Sequence, residues 1–169
     1  MQIIKFYVVF SYLILFCSLG YSQSHISLPT YPGLENDVKF WEKILSVYDY
    51  NQCVFHDSWN LSVIYDVVFI GKGSSTKRNN IINYYKKLIS QALNKFALGE
   101  RPSNSYEKRI YTNLNYKAYD KVFLADAASR VRCQIGIKTR FTQSLKYSQK
   151  YLPMIKKVFI SYNLPIDLI

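Results

Sequence analysis

The sequence predicts a mainly α-helical protein of about five helices with a small β-ribbon near residues 54–70. Three observations carry that expectation. Apolar residues recur at the three-and-four spacing of half-buried helices in several segments. One stretch, Leu61–Ile70, alternates instead, with Leu61, Val63, Tyr65, Val67 and Phe69 apolar and β-branched residues frequent. Gly, Pro, Asn and Ser punctuate the chain between these segments.

In chain order, residues 1–22 read as a secretory signal peptide. One positive charge, Lys5, precedes a nearly unbroken apolar run from Phe6 to Leu19, and small residues Gly20 and Ser22 precede a cut after Ser22. That run is shorter than the roughly 20 residues a membrane-spanning helix needs, although an uncleaved anchor is the competing reading. Cys17 also follows apolar sequence, as a lipid-modified cysteine would, but Leu15 and Phe16 before it are large where such sites take small residues. Residues 23–34 contain Ser, Pro and Gly without periodicity and are expected to be a leader.

A helical domain is expected over 35–150. Its first helix runs from Glu35 or Asn36 to Tyr48, with Val38, Trp41, Ile44, Leu45 and Tyr48 as the apolar face and the early acids Glu35 and Asp37 suiting the positive end of the helix dipole. Val54–His56 forms a short strand that turns at Asp57–Asn60 into the alternating stretch. The run Gly71-Lys-Gly-Ser-Ser-Thr-Lys77 lacks the spacing of a phosphate-cradling loop and reads as a turn. It leads into a helix from Thr76 or Asn79 to Leu98, whose core face is Ile82, Tyr85, Ile89, Ala92, Leu93 and Phe96. Gly99 and Pro102 end it. Lys77, Arg78, Lys86, Lys87 and Lys95 fall on or near its polar side, either as a solvated face or as a basic surface for an anionic polymer. A shorter helix spans Ser103–Leu114, with Glu107 in its first turn as in a capping box. Asn115–Asp120 is a loop, and the next helix is expected to run from Tyr119 or Asp120 through Val131 and Ile135 toward Leu145. A last helix, with Leu152, Ile155, Val158, Phe159 and Tyr162 on one face, is expected to open at Tyr151-Leu152-Pro153. Asn163 ends it, and Pro165 opens another helix.

The formal net charge is +11, and loss of Lys5 with the signal leaves the chain nearly as basic. Such a balance suits an anionic partner, and export favours an envelope polymer such as peptidoglycan or a membrane surface over nucleic acid, for which no motif occurs. Biased composition accounts for the same charge without any partner. Once Cys17 is removed, Cys53 and Cys133 remain; they either form one disulfide or stay as two buried thiols, and they show no metal-ligand spacing. No cofactor or metal site is expected. His56 and Asp57 invite a base-and-orienter reading. Neighbours on an extended segment point to opposite faces, however, so a structural His-Asp turn is the preferred reading.

Two stretches carry a resemblance. Tyr151-Leu152-Pro153-x-Ile155-x-x-Val158-Phe159-x-x-x-x-Leu164-Pro165-x-Asp167-Leu168 resembles the approach to the catalytic domain of membrane-bound lytic murein transglycosylases of the D type. Phe40-Trp41 followed by His56-Asp57-Ser58-x-Asn60-Leu61-x-Val63-x-Tyr65 resembles the N-terminal region of a branch of the same family. Arg130, Gln134 and Gly136 match an R-x-x-x-Q-x-G pattern associated with it, but are equally explained by hydrogen bonding and by close helix packing. The resemblance implies that residues 151–169 are the start of a truncated, lysozyme-like catalytic domain. It also implies an exported enzyme that cleaves peptidoglycan non-hydrolytically to 1,6-anhydro products, using one Glu in a Glu-Ser-Ser-Phe-Asn sequence as acid and base. That sequence does not occur here, and the last Glu is Glu107. Asp167 stands where the family has a helix-start acid, which is sufficient reason for it. No catalytic, substrate-binding or metal residue is assigned, and the expectation is an inactive N-terminal portion of such an enzyme. The alternative is a non-catalytic basic envelope-binding protein.

Overall fold

The computed structural model describes residues 31–114 and 119–169. The expected signal peptide 1–22, most of the leader 23–34 and most of the loop Asn115–Asp120 lie outside the described residues. The chain divides into two compact units, one of Thr30–Tyr151 and one whose described part is Leu152–Ile169.

Within the described residues there are five α-helices and one three-stranded antiparallel sheet. They are α1 (Glu35–Ser46), β1 (Gln52–Asp57), β2 (Ile64–Phe69), α2 (Ser75–Ala97), α3 (Ser105–Asn113), α4 (Lys121–Arg130), β3 (Val131–Ile135) and α5 (Lys138–Ser161), followed by a single 3-10 turn at Ile166–Leu168. The strand order is β2-β1-β3. The ribbon expected near residues 54–70 is therefore two-thirds of a sheet, and β3 completes it.

β1 lies in the middle and is buried on both faces. Cys53 and Phe55 join a larger core with Ile89, Ala92, Leu93 and Phe96 of α2, Ile110 of α3, and Leu124 and Ala127 of α4. Val54 points the other way, into a smaller cluster with Phe40 and Ile44 of α1. Fully burying each of these large side chains contributes about 1.5–3 kcal/mol, so the sheet-to-α2 face dominates the stability of this unit. The core face expected for α2 is the observed one. Of the face expected for α1, Ile44 is buried and Tyr48 packs against the same cluster, but Phe40 is buried in place of Val38 and Trp41, which are exposed.

Local chemistry accounts for the helix ends. The Ser74 hydroxyl accepts from the Lys77 N–H at the start of α2, Asn104 accepts from Glu107 N–H at α3, and Asp120 accepts from Phe123 N–H at α4. Gly99, at φ +84, follows the α2 C-cap residue in the left-handed conformation that glycine adopts without a Cβ clash. Glu107 also accepts from the Ser103 N–H and pairs with Lys95 at 3.0 Å. The Ser103 hydrogen bond and then Lys95 hold its carboxyl below the usual range.

Two expected elements are corrected. The helix running from Asp120 toward Leu145 is broken after Arg130, because Val131–Ile135 pairs as β3 with β1, Phe55 opposite Cys133 and Asp57 opposite Val131. Alternation over five residues resembles an i, i+4 helical stripe too closely for the sequence to distinguish them. The helix boundary at Tyr151-Leu152-Pro153 does not occur either, since α5 is continuous with Pro153 inside it. Proline there removes one hydrogen bond, to the Gln149 carbonyl, and the helix continues on both sides. Asn163, at φ +57, ends this segment as expected, and Pro165 is followed by a 3-10 turn where a further helix was expected.

Candidate functional site

The site begins with a turn. Asp57 ends β1, and its Oδ1 accepts the backbone N–H groups of Trp59 (2.8 Å) and Asn60 (3.1 Å), the Asx geometry that the Asp-Ser-Trp-Asn order favours. Its Oδ2 accepts the Tyr65 hydroxyl at 3.1 Å. Arg130, at the end of α4, donates from Nε to both oxygens at 3.2 and 3.0 Å. The backbone locks the same junction, because Ser58 N–H donates to Arg130 carbonyl at 3.1 Å. Asp57 is fully buried and Arg130 is 7% exposed. A carboxylate so placed is tolerated only because charge and donors surround it.

A bulge delivers Tyr65 to this cluster. His56 pairs with Ile64 but Phe55 pairs with Asp66, so β2 carries one additional residue, Tyr65, at that point. An inserted residue bends the strand and redirects its side chains, here turning Tyr65 and Asp66 inward together. Asp66 pairs with Arg109 of α3 at 2.8 Å, and Asn113 donates to the Tyr65 carbonyl at 2.9 Å. Burial first, and then the Asp57 carboxylate, push the Tyr65 hydroxyl far above its ordinary pKa, so it acts as a donor. Tyr119 is raised by the same two causes in the same order.

The Arg130 guanidinium lies over two rings, 4.8 Å from the Trp59 centroid and 5.0 Å from that of Phe123. Phe123 in turn stacks on Tyr119 at 4.4 Å. Asp126 lies 3.8 Å from Arg130 Nη1. Trp59 and Phe123 thus both contact the Arg130 cation, Asp57 pairs with it, and Tyr65 is linked to it through the Asp57 carboxylate.

His56 stands apart. Its ring packs on Phe40 at 4.6 Å, on the α1 side of the sheet, and its Nδ1 lies 2.9 Å from the Asp57 backbone carbonyl, so it does not engage the carboxylate. The two neighbours serve opposite faces, as alternation requires. Burial lowers the His56 pKa below its ordinary value, and Arg132 adds to the effect. Below about pH 6.5 the unfolded chain takes up a proton that the folded ring resists. Stability is therefore expected to fall as pH drops from that value toward the folded pKa. Urea midpoints of the wild type and of His56→Phe across that window test this: the variant should lose the decline, and an unchanged decline would show that another group causes it.

The remaining sequence candidates are dispersed. Gly136 has its N–H bonded to the Gln52 carbonyl at 3.1 Å, and a Cβ there would collide with the backbone of Tyr48 and Asp49. Its role is close approach of the β3–α5 connection to the α1–β1 turn, not helix packing. Gln134 donates to the Ile135 carbonyl at 3.0 Å. Cys53 and Cys133 are bonded to each other, with Cα atoms 5.7 Å apart across β1 and β3, which resolves the choice between bridge and free thiols. The basic side of α2 is not one free face: Arg78 donates to the Tyr50 carbonyl, and Lys95 is held by Ser103 and Glu107. Asp167 is exposed in the 3-10 turn. Among the described residues no His, Cys, Asp and Glu cluster could hold a metal, and no helix is long and apolar enough to cross a membrane.

Sequence reasoning missed the Arg130–Asp57 pair and the ring contacts around it. The partners are 73 residues apart, and the only local signal was the Asx-turn order at Asp57–Asn60. No protein-family model, curated protein or solved structure matches the chain.

Proposed function

We propose that this chain is an exported, peptidoglycan-binding portion of a lytic murein transglycosylase-like protein, one that holds the glycan without cleaving it. The observation that carries the reading is the convergence of Asp57, Tyr65 and Arg130. The His56–Tyr65 stretch supplies Asp57 and Tyr65, and the Arg130-x-x-x-Gln134-x-Gly136 pattern supplies the arginine that pairs with Asp57; the Tyr151–Leu168 stretch takes no part in this cluster. The Cys53–Cys133 bond agrees with an oxidising compartment, and the net charge of +11 with an anionic wall polymer.

Cleavage is not expected of this sequence. A transglycosylase acid must be able to give up and regain a proton in an apolar cleft. The buried carboxylates here, Asp57 and Asp66, are each engaged by an arginine and by backbone or hydroxyl donors. Incubating the purified, disulfide-intact chain with sacculi tests both parts. It should co-sediment, more weakly as salt rises, and release no anhydro-muropeptides. Failure to co-sediment at low salt removes the binding reading, and anhydro products overturn the claim that this chain does not cleave.

A second reading, a basic envelope-binding protein unrelated to transglycosylases, is favoured by α5. That helix carries Lys138, Arg140, Lys146, Lys150, Lys156 and Lys157 and no acid. Co-sedimentation equally strong with other wall polyanions, such as teichoic acid, would favour it.

A further inference from the structure

α1 carries more apolar surface than the sheet uses. Phe40 and Ile44 pack with Val54 of β1. On the adjoining side Leu34, at the N-cap, Val38 and Trp41 stand 44–52% exposed, and half-buried Leu45 comes next in line. Their spacing of four, three and four residues is that of a coiled-coil seam. Trp41 is propped edge-on against Phe40, with ring centroids 5.5 Å apart, so its indole is held up from the sheet.

α5 presents a second seam of the same kind. Tyr147, Tyr151, Met154 and Val158 follow the same four-three-four spacing and are 47–74% exposed. The two seams are equal in length, about 16 Å of helix at the usual rise per residue.

Charge distinguishes them. In heptad lettering with the seam residues at a and d, Glu35 and Glu42 take the e positions of α1, whereas Lys150 and Lys157 take the g positions of α5. Lys150 Nζ lies 5.8 Å from the Tyr151 ring centroid, at the edge of the seam. Acid at e and base at g attract across parallel helices, and with Leu34 set opposite Tyr147, Lys150 falls beside Glu42. Two copies of α1 have no such match: parallel, they bring Glu42 against Asp37, and antiparallel, they bring the e-position glutamates together. Two copies of α5 have no acid to meet their lysines.

We propose that α1 of one copy pairs side by side with α5 of a second copy, so that the protein self-associates through these seams. Within a single chain both seams remain open to solvent, so the partner is another molecule. Pairing removes apolar surface from water and sets opposite charges along its edge. The contact is independent of which polymer the chain holds, and its short length places association in the micromolar range.

Sedimentation equilibrium of the purified, disulfide-intact chain across micromolar concentrations tests this. The mean mass should rise with concentration, and Trp41→Asn should weaken association about tenfold, as removal of a central aromatic does. Glu42→Lys and Lys150→Glu should each weaken it about fivefold, by turning an attraction into a repulsion. The chain carrying both substitutions should recover wild-type association, an outcome that misfolding of either single variant could not produce. A monomer at every concentration overturns the pairing, and co-sedimentation of that monomer with anionic phospholipid vesicles would identify a lipid surface as what covers α5 instead. Self-association untouched by Trp41→Asn, or no recovery in the doubly reversed chain, overturns it as well.

Discussion

Arg130→Met is expected to destabilise the Thr30–Tyr151 unit by about 3–5 kcal/mol, the cost of leaving a buried carboxylate without its counter-charge. Asp57 is fully buried, and its other donors, two backbone N–H groups and the Tyr65 hydroxyl, carry no charge to replace the guanidinium. The substitution also removes the cation that contacts both Trp59 and Phe123. A domain of this size has a total stability of about 5–15 kcal/mol, so the variant should unfold at much lower urea. The control is the double variant Arg130→Met with Asp57→Asn, which strands no charge and should recover part of the loss through coupling between the two sites. A urea midpoint for the single variant close to wild type would show that the pair is dispensable. Equal losses for single and double variants would show that the damage comes from packing and not from the stranded charge.

Reduction of the Cys53–Cys133 bond should have an effect of similar size. The two cysteines are 80 residues apart, and the chain-entropy relation for a closed loop of that length gives about 4.5 kcal/mol of stabilisation through the unfolded state. The bond also joins β1 to β3, the one strand pair in the sheet that no short turn connects. Equilibrium unfolding with and without reductant, or of the Cys53→Ala/Cys133→Ala variant, measures this directly. A large drop in stability is expected, and coincident unfolding curves would mean that the reduced unfolded chain is already compact enough to make the cross-link redundant.

Legibility in the sequence followed the range of the signal. The α2 face was readable because Ile82, Tyr85, Ile89, Ala92, Leu93 and Phe96 recur on successive turns, and the hairpin was readable because Asp57–Asn60 is a turn by composition. Opposite orientation of His56 and Asp57 followed from strand geometry alone. β3 was not readable, because Val-Arg-Cys-Gln-Ile is too short to separate period two from period 3.6. The face of α1 was misjudged by about one residue, since Trp41 looked more apolar than its site is buried. In the site, Asp57 and Tyr65 were visible as residues but their meeting was not, because it depends on a bulge that inserts Tyr65 and on an arginine contributed by another helix. Pro153 inside α5 misled for a different reason: helix-breaking is a tendency, and neighbouring turns supplied enough hydrogen bonds to outweigh it.

A central strand whose two neighbours come from such different distances along the chain dictates an order of assembly. β1 can zip to β2 as soon as the short turn closes, within microseconds by the usual scale for hairpins, whereas its other edge stays open until the segment ending at Ile135 arrives. A chain emerging N-terminus first therefore leaves one edge of β1 unpaired throughout the synthesis of α2, α3 and α4. Keeping that edge from other chains in the interval falls to whatever accompanies the nascent protein, and the late covalent clasp at Cys133 marks the moment it ends.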